Sequence, residues 1–156
     1  MEYKYKSYAK INSYLNVMSK LDNGYHEILT HFQIIDLCDE VSFKESDDFL
    51  IDSNEKAIAD KNSITRTIEW FNKKYGVNQK FEIKIKKSIP IGAGLGGGSS
   101  NAAIALRFLA KFHNIQIKNI DNNEIALALG ADVPVFVHKK SCYASGIGDK
   151  LGKKLF

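Results

Sequence analysis

Five glycines fall within the segment Pro90-Ile91-Gly92-Ala93-Gly94-Leu95-Gly96-Gly97-Gly98-Ser99-Ser100-Asn101-Ala102-Ala103. Residues of this kind suit the holding of phosphate. Glycine lacks the Cβ that keeps an anion off the backbone, so consecutive N–H groups can turn inward upon it. Ahead of the run, Phe81-Glu82-Ile83-Lys84-Ile85-Lys86 alternates apolar with charged residues and predicts a strand that ends at Ile89-Pro90. Behind it, Ala102, Ala105, Leu106, Leu109 and Ala110 form the apolar stripe of a helix, with Ser99 or Ser100 as its cap. The run therefore lies at a strand-to-helix junction, where the helix N-terminus adds its dipole and the two serines can add hydroxyl contacts. Linkers and packing turns are also glycine-rich, but they seldom join a clear strand to an alanine-rich helix, so phosphate binding is the preferred reading.

Two familiar phosphate motifs overlap this segment and both fail. Gly92-x-Gly94-x-x-Gly97 matches the dinucleotide fingerprint, which requires an acidic residue about 20 positions on at a strand end. Asp121 stands near that distance, but in a polar loop. Gly92 and Gly97 also satisfy the glycine spacing of a P-loop, yet Gly98 occupies the place of the lysine that would reach the outer phosphates.

The elements that must carry this loop are mixed in type. Ile11 to Val17 and Thr30 to Leu37 read as two strands around the loop Gly24-Tyr25-His26. Val41-Ser42-Phe43 and Phe49-Leu50-Ile51 flank the polar turn Glu45-Ser46-Asp47-Asp48 and predict a hairpin. Asn62 or Ser63 caps a helix whose apolar face is Ile64, Ile68, Phe71 and Tyr75, closed by Gly76. A short helix from Glu124 to Leu129 is expected behind an Asn122-Asn123 cap, and Val133 to Val137 is expected to return as a strand.

At 156 residues the chain suits one domain with a continuous core. The composition, 44% hydrophobic and 26% charged, excludes intrinsic disorder. A net charge of +4 favours anionic ligands, but lysines and arginines are scattered among acids, which does not point to nucleic acid. Cys38 and Cys142 are far apart, so neither a zinc site nor a disulfide framework is expected. Met1 to Lys6 has no apolar signal core and no stretch approaches the roughly 20 apolar residues of a membrane span, so a cytoplasmic protein is expected.

The segment from Pro90 to Ala103 closely resembles the phosphate motif of the GHMP kinases. Ala9-Lys10-Ile11-Asn12, Gly24-Tyr25-His26, Gln33-Ile34-Ile35-Asp36-Leu37, Gly130-Ala131-Asp132-Val133-Pro134-Val135-Phe136 and Ser145-Gly146-Ile147-Gly148-Asp149 extend the likeness over nearly the whole chain. Within the superfamily they are similar to the branch that phosphorylates the 2-hydroxyl of a cytidine-diphosphate-linked methylerythritol in the non-mevalonate route to isoprenoid precursors. The resemblance implies an α+β fold with a mixed sheet packed against helices, ATP as donor and that small molecule as acceptor. It also implies a further domain carrying a third glycine-rich motif; none follows Asp149, so residues 1–156 are expected to be the N-terminal, ATP-binding domain without the C-terminal one. Asn23 stands where the family often has Asp before Gly-Tyr-His, a change that still suits a turn.

On residue type alone, Asp132 is a turn carboxylate and Lys10 an exposed strand residue. The resemblance instead makes Asp132 the catalytic base and sets Lys10 beside it, stabilising charge on the transferred phosphoryl group. It carries Asn12 over as a substrate-positioning amide, and Tyr25 and His26 as readers of the cytosine by stacking and edge hydrogen bonding. Pro90, Gly92, Gly94, Leu95, Gly96, Gly97, Gly98, Ser99 and Ser100 become the nucleotide loop. Asn62 is either an adenine or ribose contact or an ordinary N-cap. Mg²⁺ accompanies phosphoryl transfer, but no carboxylate cluster is dedicated to it, so ATP itself is expected to hold the ion. Other acceptors within the superfamily, a nucleotide-binding chain without turnover, and a monomer or a dimer all remain open on sequence.

Overall fold

The computed structural model describes residues 1–22, 24–55 and 62–152, so the turn residue Asn23 lies outside the described residues. Two long strands, β1 (Glu2–Lys20) and β2 (His26–Glu45), pair antiparallel along almost their full length. The two expected strands thus exist and run well beyond their apolar cores. Register shifts interrupt the ladder between Tyr8 and Ala9, between Asn12 and Tyr14, and between Val17 and Ser19. Such bulges bend a strand and re-aim its side chains, and two of them bracket Lys10 and Asn12.

The other edge of β2 is shared. Its Glu40–Glu45 segment pairs with β4 (Phe81–Lys86), and Thr30 to Phe32 pair with β5 (Cys142–Ser145), which pairs in turn with β6 (Lys150–Gly152). Strand β3 (Leu50–Ser53) lies beyond β4 and pairs with it in parallel. The expected hairpin across Glu45 to Asp48 is therefore corrected: the chain turns there, but β4 lies between the two strands. Strand β4 has its apolar side chains buried, as its alternation requires.

Helix α1 (Ser63–Tyr75) starts at Asn62, whose Oδ1 accepts from the N–H groups of Ile64 and Thr65, and stops at Gly76 with φ 66. Helix α2 (Gly97–Phe112) begins one turn earlier than expected: Gly96 is its N-cap, and Ser99 and Ser100 lie inside it rather than capping it. Ten of its sixteen residues are buried, which exceeds one stripe because α2 is enclosed by β1, α1 and α4. That enclosure explains the alanines, since small side chains allow close approach on several sides.

Helix α3 (Asn122–Leu129) is capped by Asp121, which accepts from the Glu124 N–H, so the Asn122-Asn123 cap is corrected by one position. After Gly130 the chain forms α4 (Val133–His138), not the expected strand. All of Val133 to Val137 is buried, so the run carries no periodic signal, and Pro134 in the first turn suits a helix start.

Candidate active site

The glycine-rich segment crosses from the end of β4 to α2 as a loop held against β1. The backbone N–H of Lys10 donates to the Leu95 carbonyl at 3.0 Å. Gly92, Gly94 and Gly96 all take left-handed φ near 70 to 75. Gly96 is constrained further, because a Cβ there would stand 2.8 Å from Phe136 Cζ and 3.2 Å from Lys10 Cε. Only glycine lets this backbone approach both side chains.

Under the loop lies a cavity of about 560 Å³, lined by the loop from Pro90 to Ser99 and by Lys10, Asn62, Lys87, Asn101 and Asp132. Helices α1 and α3 have side-chain caps on their first N–H groups, whereas α2 has none. The leading N–H groups of a helix have no partner within it, so the α2 N-terminus offers the cavity free donors and the positive end of a dipole. No acidic residue in the first turn of α2 cancels that field.

Lys10 and Asp132 face each other at the cavity wall, with Nζ 3.1 Å from Oδ2. Lys10 also donates to Asn12 Oδ1 at 2.6 Å, and its ammonium stands 5.5 Å from the centroid of the Phe32 ring. Its side chain is 6% exposed against 31% for Asp132, so the lysine is fixed while the carboxylate can still meet a ligand. The strand reading of Lys10 as an exposed residue thus gives way to a buried lysine paired with a half-buried carboxylate. Asn12 is itself oriented, donating to Thr30 Oγ1 at 2.7 Å. Such an arrangement can take a proton from a hydroxyl at Asp132 while Lys10 and the α2 N-terminus balance negative charge.

The other expected site residues divide. Asn62 lines the cavity and caps α1 at once, so both readings of it have a structural basis. Ser99 lines the cavity, whereas the Ser100 hydroxyl is buried and accepts from Ser7 Oγ at 2.8 Å. Tyr25 and His26 stand at the far end of the β1–β2 ladder, where His26 pairs with Lys20. His26 lies six residue steps along β2 from Phe32, the partner of Asn12, a distance of about 20 Å. The structure therefore does not bring them to the cavity.

Sequence reading missed Lys87, Asp39 and Phe136. Lys87 and Asp39 form a buried ion pair at the leading end of the loop. The available signal was a second lysine breaking the alternation after Lys86, whereas Asp39, one of several acids in its strand beside Asp36 and Glu40, carried none. No group of three His, Cys, Asp or Glu able to hold a metal occurs among the described residues, and Asp132 is the one carboxylate among those lining the cavity.

Residues 62–140, half of the chain, match the family model described as GHMP kinases N terminal domain. The chain belongs to the GHMP kinases. Among curated relatives, this GHMP kinase chain is 45% identical to a 4-diphosphocytidyl-2-C-methyl-D-erythritol kinase of Francisella tularensis subsp. holarctica, over 98% of its own length and 57% of the relative's. It is 39% identical to the enzyme of that name from Shewanella oneidensis, over 92% of the chain and 52% of the relative. A crystal structure of a 4-(cytidine 5'-diphospho)-2C-methyl-D-erythritol kinase superposes with a TM-score of 0.76 at 31% identity, covering 96% of this chain and 54% of that one. The chain thus spans little more than half the length of the curated relatives it matches.

Proposed function

We propose that this GHMP kinase chain carries the nucleotide loop and catalytic pair of an ATP-dependent kinase acting on the 2-hydroxyl of 4-diphosphocytidyl-2-C-methyl-D-erythritol. The observation that carries the reading is the Lys10–Asp132 pair at 3.1 Å on the wall of a cavity roofed by the glycine-rich loop. The relatives' names supply the acceptor, and the separation of Tyr25 and His26 from Asn12 suits it. A diphosphate-linked molecule is extended, with cytosine at one end and a polyol at the other. The ladder offers an aromatic ring and an imidazole at one end and the catalytic pair about 20 Å away.

In this mechanism the loop N–H groups and the α2 N-terminus bind the ATP phosphates, with Pro90, Gly92 to Gly98 and Ser99 shaping the wall and Asn62 beside the nucleoside. Asn12, held by Thr30, orients the acceptor polyol. Asp132 takes the proton from the attacking hydroxyl as its oxygen bonds to the γ-phosphorus, and the bond to the ADP oxygen breaks. Lys10 balances the charge that develops on the transferred group. Mg²⁺ would neutralise phosphate charge when bound, and the scarcity of carboxylates leaves ATP as its main holder.

Asp132→Asn should lower turnover by about 10² to 10⁴ with substrate affinity little changed, and Lys10→Ala should behave alike. Phosphoryl transfer to the cytidine-diphosphate acceptor, followed by ³¹P NMR, makes the measurement. Near-normal turnover in Asp132→Asn would remove the base from this scheme.

A further inference from the structure

We propose that Ser7 and Asp39 are positioning residues that anchor the two ends of the glycine-rich loop to one rung of the β1–β2 ladder and so preset its N–H groups for a polyphosphate. The proposal rests on the nucleotide reading of the cavity. Ser7 and Asp39 are direct partners in the antiparallel ladder, so their side chains leave the sheet on the same face. Neither exposes any surface.

Each holds one end of the loop. Asp39 Oδ1 accepts from the backbone N–H of Ser88 at 2.8 Å and of Ile89 at 2.9 Å, and Oδ2 takes the Lys87 ammonium. These three residues directly precede Pro90. On the same rung, the Ser7 hydroxyl donates to Ser100 Oγ, in the first turn of α2 just past the far end of the loop. Residues 90–96 therefore bridge two anchors seated on a rigid pair of strands.

The arrangement exceeds what strand packing needs. Strand β4 ends at Lys86, so the N–H groups of Ser88 and Ile89 have left the ladder and find a side chain of β2 instead. A buried carboxylate is tolerated only when fully paired, and the donors that Asp39 accepts from, Lys87, Ser88 and Ile89, all belong to this one segment. It also fixes a cation: a Cβ at Gly97 would stand 3.2 Å from Lys87 Nζ, which places that ammonium against the first residue of α2. Lys87 lines the cavity, so the positive charge that Gly98 denies to the loop arrives from the strand end.

Ser7→Ala and Asp39→Asn separate positioning from plain stability, and Ser7→Thr restores the hydroxyl. Amide hydrogen exchange of Lys10 and Ser100, whose N–H groups donate to the Leu95 and Gly96 carbonyls of the loop, should speed up about tenfold without ligand in Ser7→Ala and Asp39→Asn, with the amides of α1 unchanged and Ser7→Thr resembling the parent. Affinity for a non-hydrolysable ATP analogue, read by calorimetry below the melting transition, should fall about tenfold while affinity for adenosine holds. Should Asp39→Asn fail to fold, Ser7→Ala carries the comparison. Unchanged exchange at Lys10 and Ser100 and unchanged analogue affinity, with only a lower melting temperature, would overturn the proposal. If the parent chain binds no analogue, the nucleotide reading fails, and the exchange experiment still decides whether the rung holds the loop.

Discussion

A methyl group added at Gly96 would meet Phe136 Cζ at 2.8 Å, Phe136 Cε2 at 2.9 Å and Lys10 Cε at 3.2 Å, on a backbone already at φ 72. At Gly98, two residues on and inside α2, the nearest neighbour of such a group is Ser63 Oγ at 3.9 Å. Gly96→Ala should therefore cost about 1–2 kcal/mol from left-handed strain, with displacement of Lys10 on top. Gly98→Ala, at a helical position with room, should be neutral or stabilise by up to about 1 kcal/mol. Urea unfolding of the two variants checks the contrast, and equal losses would show that crowding at Gly96 is not the deciding factor. The importance of this loop was legible because its glycines, Gly92, Gly94 and Gly96 to Gly98, are crowded into one short segment. The Lys10–Asp132 pair was not legible from residue type, since its members lie far apart in sequence and each has a bland local reading; only the likeness to a family joined them. Ser7 and Asp39 were missed for a related reason. A single polar residue in a strand looks solvated until the neighbouring strands and helix are placed around it.

At the scale of elements, α4 shows where periodicity stops informing. A five-residue apolar run reads the same as a buried strand or as a buried helix, and enclosure of Val133 to Val137 on all sides removed the difference. Helix α1, with one wet face, was legible from its cap at Asn62 to its stop at Gly76. Forming α4 rather than a strand places Asp132 at a helix start and brings Phe136, one turn on, against Gly96. It also places His138 at the other end, where its Nε2 meets Asn122 Oδ1 at 3.1 Å and α2 supplies Arg107 nearby. The His138 side chain is exposed, yet partial loss of its water contact first, and the Arg107 charge second, push its imidazole below the ordinary value of 6.5. The folded chain thus binds this proton less readily than the unfolded chain. The stability tied to neutral His138 is fully present above about pH 6.5 and is lost as pH falls through the depressed folded value. His138→Gln should therefore flatten the decline in melting temperature between about pH 7.5 and 5.5. A variant that declines as steeply as the parent would assign that slope to other groups.

Over the whole molecule, the hairpin expected across Glu45 to Asp48 failed because strand order is a property of the assembled sheet. Neighbouring strands in sequence often pair, but β4, arriving a helix later, takes the place beside β2 and leaves β3 to pair in parallel outside it. That insertion delivers Phe81 into an aromatic cluster centred on Phe108 of α2. Phe43 stacks on Phe108 at 4.3 Å between centroids, and Phe81, Tyr3, Phe112 and Tyr5 surround it at 5.0 to 6.1 Å. Helix α2 thus has two ends with different tasks, since Phe108 lies twelve residue steps from Gly96, about 18 Å along the axis. Its N-terminus faces the cavity, and its C-terminal half is clamped in the core. Phe108→Ala should destabilise the fold by about 3–5 kcal/mol through lost burial and an unfilled cavity. Distant sites with no shared partners are nearly independent, so nucleotide affinity measured well below the lowered melting temperature should change by less than about threefold. Chemical unfolding and calorimetry on the same variant test the two halves of this statement. A large loss of affinity without a matching loss of stability would mean that α2 relays packing in the aromatic cluster to the loop, and that the two ends act as one body.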